Sequence, residues 1–201
     1  MYEDDSDGLD EPGGHNTAEP IAVRLADESY AALDTQRVGR MGELVVELEL
    51  LKRGWIVGNF NSTTMNSAGW DLFATRRTRS VKIRVKAKRP GVDCFRWSAK
   101  ADGSVLAGLA ATDDDFVAAV SFDTSGGYDA FIMPSDVVGR TLRDENARWI
   151  AGTKPGGGPR KPTSMRHIYI NDRDDGAPAH GFATRWAPYR NAWDLLEPRQ
   201  A

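Results

Sequence analysis

Three short stretches of the 201-residue chain carry side chains that could act on a charged substrate. Glu43 follows Gly42 in a segment with helical apolar spacing, and Asp71 follows a glycine turn at the start of an extended segment. The third stretch, 81–88, alternates apolar and basic residues. Because side chains alternate across a strand, the basic residues must share one face. They are Lys82, Arg84, Lys86 and Lys88, a row of cations that suits a phosphate backbone.

Each of these features also has an ordinary structural explanation. Glu43 could be a solvated helix residue, and Asp71 could be a turn residue that hydrogen-bonds its own backbone. The basic row could be a solvent-facing side of a strand, where lysine is common. Taken singly, each of these explanations is the more frequent one, since assigning a site from such residues is only probabilistic. Their order along one chain favours a common site.

The elements around these residues predict a layered α/β domain. Apolar spacing indicates a helix from about residue 26 to Gly54, which is well placed to end it. Val46 and Leu50 form a weaker second apolar edge on this helix. Its main apolar stripe consists of Val38, Met41, Leu44, Val45, Leu48 and Leu51.

Extended segments follow in a pattern that predicts several strands. They are expected at 55–60, 70–75, 80–88, 115–122, 128–133 and 166–171. The basic turn 76–79 joins the second and third into a hairpin, and the turn 123–127 joins the fourth and fifth. The remaining predictions are a weak helix at 104–112, a short helix after Pro134, a Gly-Pro-rich loop at 152–162 and a core-capping aromatic helix at 186–196.

Charge divides the chain into an acidic start and a basic body. Of the 29 acidic residues, seven lie among the first 20 residues, where there is no lysine or arginine. The other 22 face 26 lysines and arginines, so the body carries a net charge of +4. Residues 1–26 are therefore predicted to be an acidic, disordered tail. Residues 27–201 are predicted to be one domain, with core motifs at 39–134 and a C-terminal extension at 135–201.

Several common chemistries are excluded by the residue types present. Cys94 is the only cysteine, so an internal disulfide and a cysteine-rich zinc site are ruled out. The three histidines form no H-E-x-x-H pattern, and neither G-x-S-x-G nor G-x-G-x-x-G occurs. No apolar stretch approaches the roughly 20 residues that span a bilayer, and the acidic N-terminus is unlike a signal peptide. A cytoplasmic location with no membrane partner is the expectation.

Taken in order, the motifs resemble the PD-(D/E)xK nuclease superfamily, in particular its resolvase-like and uncharacterised bacterial branches. That family has a helix with a glutamate, a strand that opens with Gly-x-Asp-Leu, and a following strand with an acid and a lysine two residues apart. The matching positions are Gly42-Glu43, Gly69-Trp70-Asp71-Leu72 and Arg84-Val85-Lys86, and the resemblance covers about 39–134. It implies a restriction-endonuclease-like, three-layer α/β fold with a central mixed sheet flanked by helices.

The resemblance also implies a function, that of a prokaryotic Mg²⁺- or Mn²⁺-dependent endonuclease that hydrolyses phosphodiester bonds in DNA. Asp71 would be the main metal ligand, Glu43 a further ligand, and Lys86 the catalytic cation that orients water or stabilises the oxyanion. DNA would be the partner, and a homodimer and a protein partner both stay open. The nucleic-acid contacts would come from Lys82, Arg84, Lys88 and Arg89.

Arg84 departs from the family pattern, because relatives carry an acid or a glutamine at this position. A fixed cation about 4 Å from a divalent ion opposes metal binding by several kcal/mol at an effective dielectric of about 20. Arginine cannot lose its proton to relieve this. Three outcomes stay open: Arg84 swings away while Glu43 or Glu47 supplies a carboxylate, the site binds phosphate without cutting, or the fold serves only as a protein-interaction module.

Overall fold

The computed structural model describes residues 34–60, 69–99, 112–154, 156–172 and 182–197. The predicted acidic tail and nearly all of the helix predicted at 104–112 lie outside these ranges. None of the helices within them is long and apolar enough to cross a membrane. The elements are α1 (Thr35–Lys52), β1 (Ile56–Asn59), β2 (Leu72–Arg76), β3 (Arg79–Lys88), β4 (Cys94–Ser98), β5 (Asp115–Phe122), β6 (Tyr128–Pro134), α2 (Ser135–Ala151), β7 (Met165–Tyr169), α3 (Phe182–Trp186) and two 3-10 helices, Ala187–Tyr189 and Trp193–Leu196.

A five-stranded mixed sheet in the order β1-β2-β3-β5-β6 forms the centre of the domain. Neighbouring strands are antiparallel except β3 and β5, which are parallel. A parallel pair needs a long crossover, and this one contains β4, which pairs with β7 in a separate two-stranded sheet. The predicted α/β class with a central mixed sheet flanked by helices is therefore confirmed.

Two apolar cores lie on opposite faces of the central sheet. The first packs α1 against side chains such as Val81, Ile83 and Val85 of β3. The second packs α2 and the small β4–β7 sheet against residues such as Val117 and Ala119 of β5. β5 is buried along nearly its whole length, as expected for a strand covered on both faces. The face of β3 that looks away from α1 thus lies on the side of the small sheet.

The predicted apolar stripe of α1 is wrong in part. The fully buried residues are Val38, Gly42, Val46 and Leu50, which follow one another at four-residue spacing. Three leucines of the predicted stripe, Leu44, Leu48 and Leu51, are about half exposed. Gly42 explains the difference, because a Cβ atom there would lie 2.6 Å from the Cβ of Ala87. α1 turns this buried row toward β3, because the absence of a side chain at Gly42 lets the helix approach the strand most closely there.

Three other element predictions need correction. The strand β4 was not predicted, and the helix after Pro134 extends over 17 residues. The aromatic helix expected at 186–196 is divided into a short α-helix and two 3-10 helices, because Pro188 cannot continue a regular helix. The core-capping role predicted for this segment is partly confirmed, since Trp186, Trp193 and Leu196 are buried in the two cores.

We expect Gly42→Ala to lower the free energy of unfolding, although alanine favours helices by about 0.5–1 kcal/mol over glycine. The added methyl group would overlap Ala87, and overpacking of this kind costs about 1–3 kcal/mol. Gly39→Ala is the matched control, because a Cβ there meets nothing within 4 Å. Urea unfolding should show Gly39→Ala at or above the wild-type stability. A Gly42→Ala protein more stable than wild type would contradict this account of the α1–β3 contact.

Candidate nucleic-acid interface

The four cations of β3 occupy one face of the strand, as the alternating pattern predicts. Val81, Ile83 and Val85 point into the core under α1, and the basic residues between them lie half-buried on the other face. β3 is the third of five strands, so this face is inside the domain and not at a sheet edge. The alternative of a fully solvated strand face does not describe the basic row Lys82, Arg84, Lys86 and Lys88.

Aromatic rings lie against three of the four cations in this row. The ammonium of Lys82 is 5.7 Å from the ring centre of Trp70. The Lys86 ammonium is 6.0 Å from the Trp97 ring, and that of Lys88 is 5.9 Å from the ring of Phe95. Cation–π contacts at about 6 Å or less from the ring centre are favourable. Two of the three rings come from β4, the strand that was not predicted.

Asp71 lies beside Arg84 immediately before β2. Its backbone N–H donates to the carbonyl of Ile83 at 2.9 Å. Its carboxylate Oδ2 accepts a hydrogen bond of 2.7 Å from the backbone N–H of Val85, and the same oxygen is 3.6 Å from Nε of Arg84. Asp71 therefore joins β2 to β3 with its main chain and its side chain, and forms an ion pair with the arginine of the basic row.

The pKa values of two lysines in the row are lowered. Burial lowers the pKa of Lys86, and repulsion from Arg84 lowers it further, while the attraction of Asp71 acts in the opposite direction. Burial also lowers the pKa of Lys88, whose ammonium donates a 2.7 Å hydrogen bond to the carbonyl of Val92. Asp71, Arg84 and Lys86 thus form one electrostatic unit, and Lys88 is fixed to the turn that follows β3.

The other predicted site residues, Glu43 and Arg89, and the alternative ligand Glu47 come from α1 and from the turn after β3. Glu43 is on α1, which packs on the opposite face of β3, and it accepts a 2.8 Å hydrogen bond from Arg40 of the same helix. Glu47, also on α1, lies 3.5 Å from the side-chain nitrogen of Asn59. Arg89 is exposed in the turn after β3. The structure brings Asp71, Arg84 and Lys86 together and places both glutamates in the helix layer.

Among the described residues, those around Asp71 do not assemble a set of ligands for a magnesium ion. Within the described ranges, no group of three or more Asp, Glu, His or Cys side chains could hold a metal ion. One oxygen of Asp71 is already hydrogen-bonded to Val85 and faces the Arg84 guanidinium. Since Arg84 keeps its charge, a divalent ion at Asp71 would lie beside a fixed positive group.

Two residues that contact the row were missed at the sequence level. Phe95 and Trp97 are two residues apart on β4, so both rings project from the same face of that strand toward β3. Their spacing was a readable signal for a strand with one aromatic face. Nothing local in the sequence indicated that this face would meet the cations of β3.

Comparisons with known proteins were made for the whole chain. No protein-family model matches it, and no curated protein matches its sequence. One solved structure that it resembles is that of a bacterial homing endonuclease, with a TM-score of 0.42 and 19% identity. The match covers 81% of this chain and 91% of the other. A likeness at this level assigns neither a family nor an activity to the chain.

We expect Mg²⁺ to leave the thermal unfolding midpoint of the wild-type protein unchanged, because the Arg84 guanidinium lies 3.6 Å from the Asp71 carboxylate and opposes a divalent ion there. Arg84→Glu removes that cation and adds a carboxylate beside Asp71, so Mg²⁺ should raise the midpoint of this variant. A ligand present at 100 times its Kd stabilises the folded state by about 2.7 kcal/mol. Arg143→Glu on the exposed surface of α2 is the control for charge alone, because no carboxylate lies three or four positions from it on the helix. Scanning calorimetry with and without Mg²⁺ measures the effect, and a clear rise in the wild-type midpoint would contradict the expectation.

Proposed function

We propose that this domain binds DNA through the basic face of β3 and does not need a metal ion to do so. The observation that carries the proposal is the row of four half-buried cations on one face of a central strand. Three carboxylates lie near that face: Asp71 immediately before β2, Asp93 after β3, which attracts Lys88, and Asp115 of β5, which pairs with Lys82 in the parallel register. Four cations against three carboxylates leave the surface with excess positive charge.

The shape of the row favours a polymeric anion over a small one. From Lys82 to Lys88 it extends six residues, or about 20 Å at roughly 3.3 Å per residue. Along a DNA duplex that length corresponds to about six base pairs at 3.4 Å each. A small anion would meet one or two of these cations, whereas a phosphate backbone would run along all of them. Counterion release on neutralising several phosphates would then supply most of the affinity.

Removing one cation from the row should weaken DNA binding at every sequence tested. For Lys82→Ala we expect lower affinity and a log–log dependence on salt that is less steep by about 0.9, the value for one phosphate contact. Fluorescence anisotropy of a labelled duplex over a salt series measures both quantities. Arg140→Ala, which removes a cation from the exposed side of α2, should behave like wild type. Failure of the wild-type protein to bind duplex at about 50 mM salt would refute the proposal.

Metal-dependent hydrolysis of DNA stays a prediction of the family resemblance. Asp71 and Lys86 are electrostatic neighbours, as that chemistry would require, but Arg84 stands in the position of the acid and pairs with Asp71. We therefore expect wild-type protein and Asp71→Ala to nick supercoiled plasmid at the same background rate with Mg²⁺ or Mn²⁺. Nicking by wild type that Asp71→Ala abolishes would establish an endonuclease and contradict the expectation that Arg84 prevents metal-dependent cleavage.

A further inference from the structure

The indole N–H of Trp97 is a buried donor that has no acceptor. Trp97 is 3% exposed, and its Nε1 atom has no hydrogen-bond partner among the residues that the structure describes. A buried tryptophan N–H usually finds a partner, because an unmade hydrogen bond costs about 1–3 kcal/mol. What this position lacks is an oxygen atom that can accept a hydrogen bond.

Cations lie near the Trp97 ring on β3 and opposite Trp97 on β7. The Lys86 ammonium is 6.0 Å from the Trp97 ring, and Arg84 lies two residues before Lys86 on the same strand face. A third cation comes from β7, where Arg166 pairs directly with Trp97 in the antiparallel register. Directly opposed residues point to the same side of a sheet, with Cβ atoms about 4.5–5.5 Å apart. Arg166 therefore shares the side of the small sheet that carries Trp97.

The position of Arg166 is fixed by its own backbone surroundings. Its guanidinium donates through Nη1 to the carbonyls of Thr163 and Met165, the latter at 3.1 Å. The N–H of Ala99 donates to the carbonyl of Ser164 at 2.6 Å, which closes this end of the small sheet. Phe95 lies beside Lys88 and Trp97 beside Lys86, so β4 runs back along β3 and this end is the one toward Arg84. Along the small sheet, Arg166 is thus level with Trp97, whose ring lies beside Lys86.

We propose that Lys86, Arg166 and the indole N–H of Trp97 form a binding site for one phosphate group of the DNA. The inference rests on the proposed function and adds to it a defined point at which a phosphate is held. Two donors can bind different oxygens of one phosphate, each with a hydrogen bond of about 2.9 Å. The donors themselves can then lie about 6 Å or more apart. The phosphate held at this site is either one at the end of a DNA strand or an internal phosphodiester. Both have non-bridging oxygens that accept hydrogen bonds.

Trp97→Phe is the sharpest variant, because it keeps an aromatic ring facing Lys86 and removes the N–H donor, although the smaller ring also leaves a void in the core. Three 20-base-pair duplexes, with a 5′-phosphate, with a 3′-phosphate and with neither, serve as probes in the anisotropy assay, the length being about three times the row. A hydrogen bond to a charged group contributes about 1.5–3 kcal/mol, so we expect Trp97→Phe and Arg166→Ala each to weaken binding about tenfold or more. If only the probes with a terminal phosphate lose affinity, the site holds a strand end. If all three lose it equally, the site holds an internal phosphodiester.

Arg140→Ala is the control and should bind all three probes like wild type, and unfolding midpoints of the variants verify that each is folded. Should Trp97→Phe fold poorly, the half-exposed Arg166 carries the test, since its replacement removes no core packing. If both variants bind all three probes with wild-type affinity, the proposed phosphate site is wrong. If Lys82→Ala still weakens binding in that case, the proposed DNA-binding function stands without the phosphate site. If the wild-type protein binds none of the probes, both proposals fail.

Discussion

The alternation of residues along β3 is the constraint on which the rest of the domain depends. The strand is central, so both of its faces must be covered, yet one face is apolar and the other carries four cations. The apolar face packs closely against α1 through Gly42. The basic face cannot be buried as a core, because burying a charge without a partner costs far more than it returns. The small sheet meets this face with aromatic rings near the ammonium groups of Lys86 and Lys88, and the residues of the row stay half-buried.

Asp71 links the register of the sheet to the electrostatics of that face. Its backbone and side chain bond to Ile83 and Val85, on either side of Arg84, so the β2–β3 pairing fixes which residue the carboxylate meets. A slip of one residue would exchange the apolar and basic faces of β3. The residue is therefore more than a turn residue that bonds its own backbone. It secures the register of the hairpin and neutralises the arginine that the register brings to it.

Local patterns in the sequence were sufficient for the elements that form between neighbours in the chain. The hairpin of β2 and β3, the pair β5–β6 and the end of α1 near Gly54, whose φ of 77° suits glycine, follow from alternation and turn residues. The buried row of α1 could not be predicted in this way, because leucine content favours one side and the contact of Gly42 with Ala87 selects another. Trp97 and Arg166 are likewise neighbours only through the pairing of β4 with β7, about 70 residues apart in the chain.

The residue at position 84 determines which kind of chemistry the face can perform. A carboxylate there would lie beside Asp71 and make a pair of acids that favours a divalent cation. Arginine makes the basic row continuous and engages Asp71 instead. It also adds to the effect of burial in lowering the pKa of Lys86, an effect that Asp71 opposes. A phosphate held beside Lys86 would act in the same direction as Asp71 and raise that pKa. Anion binding and protonation of Lys86 would then favour each other, because linkage between two sites is reciprocal.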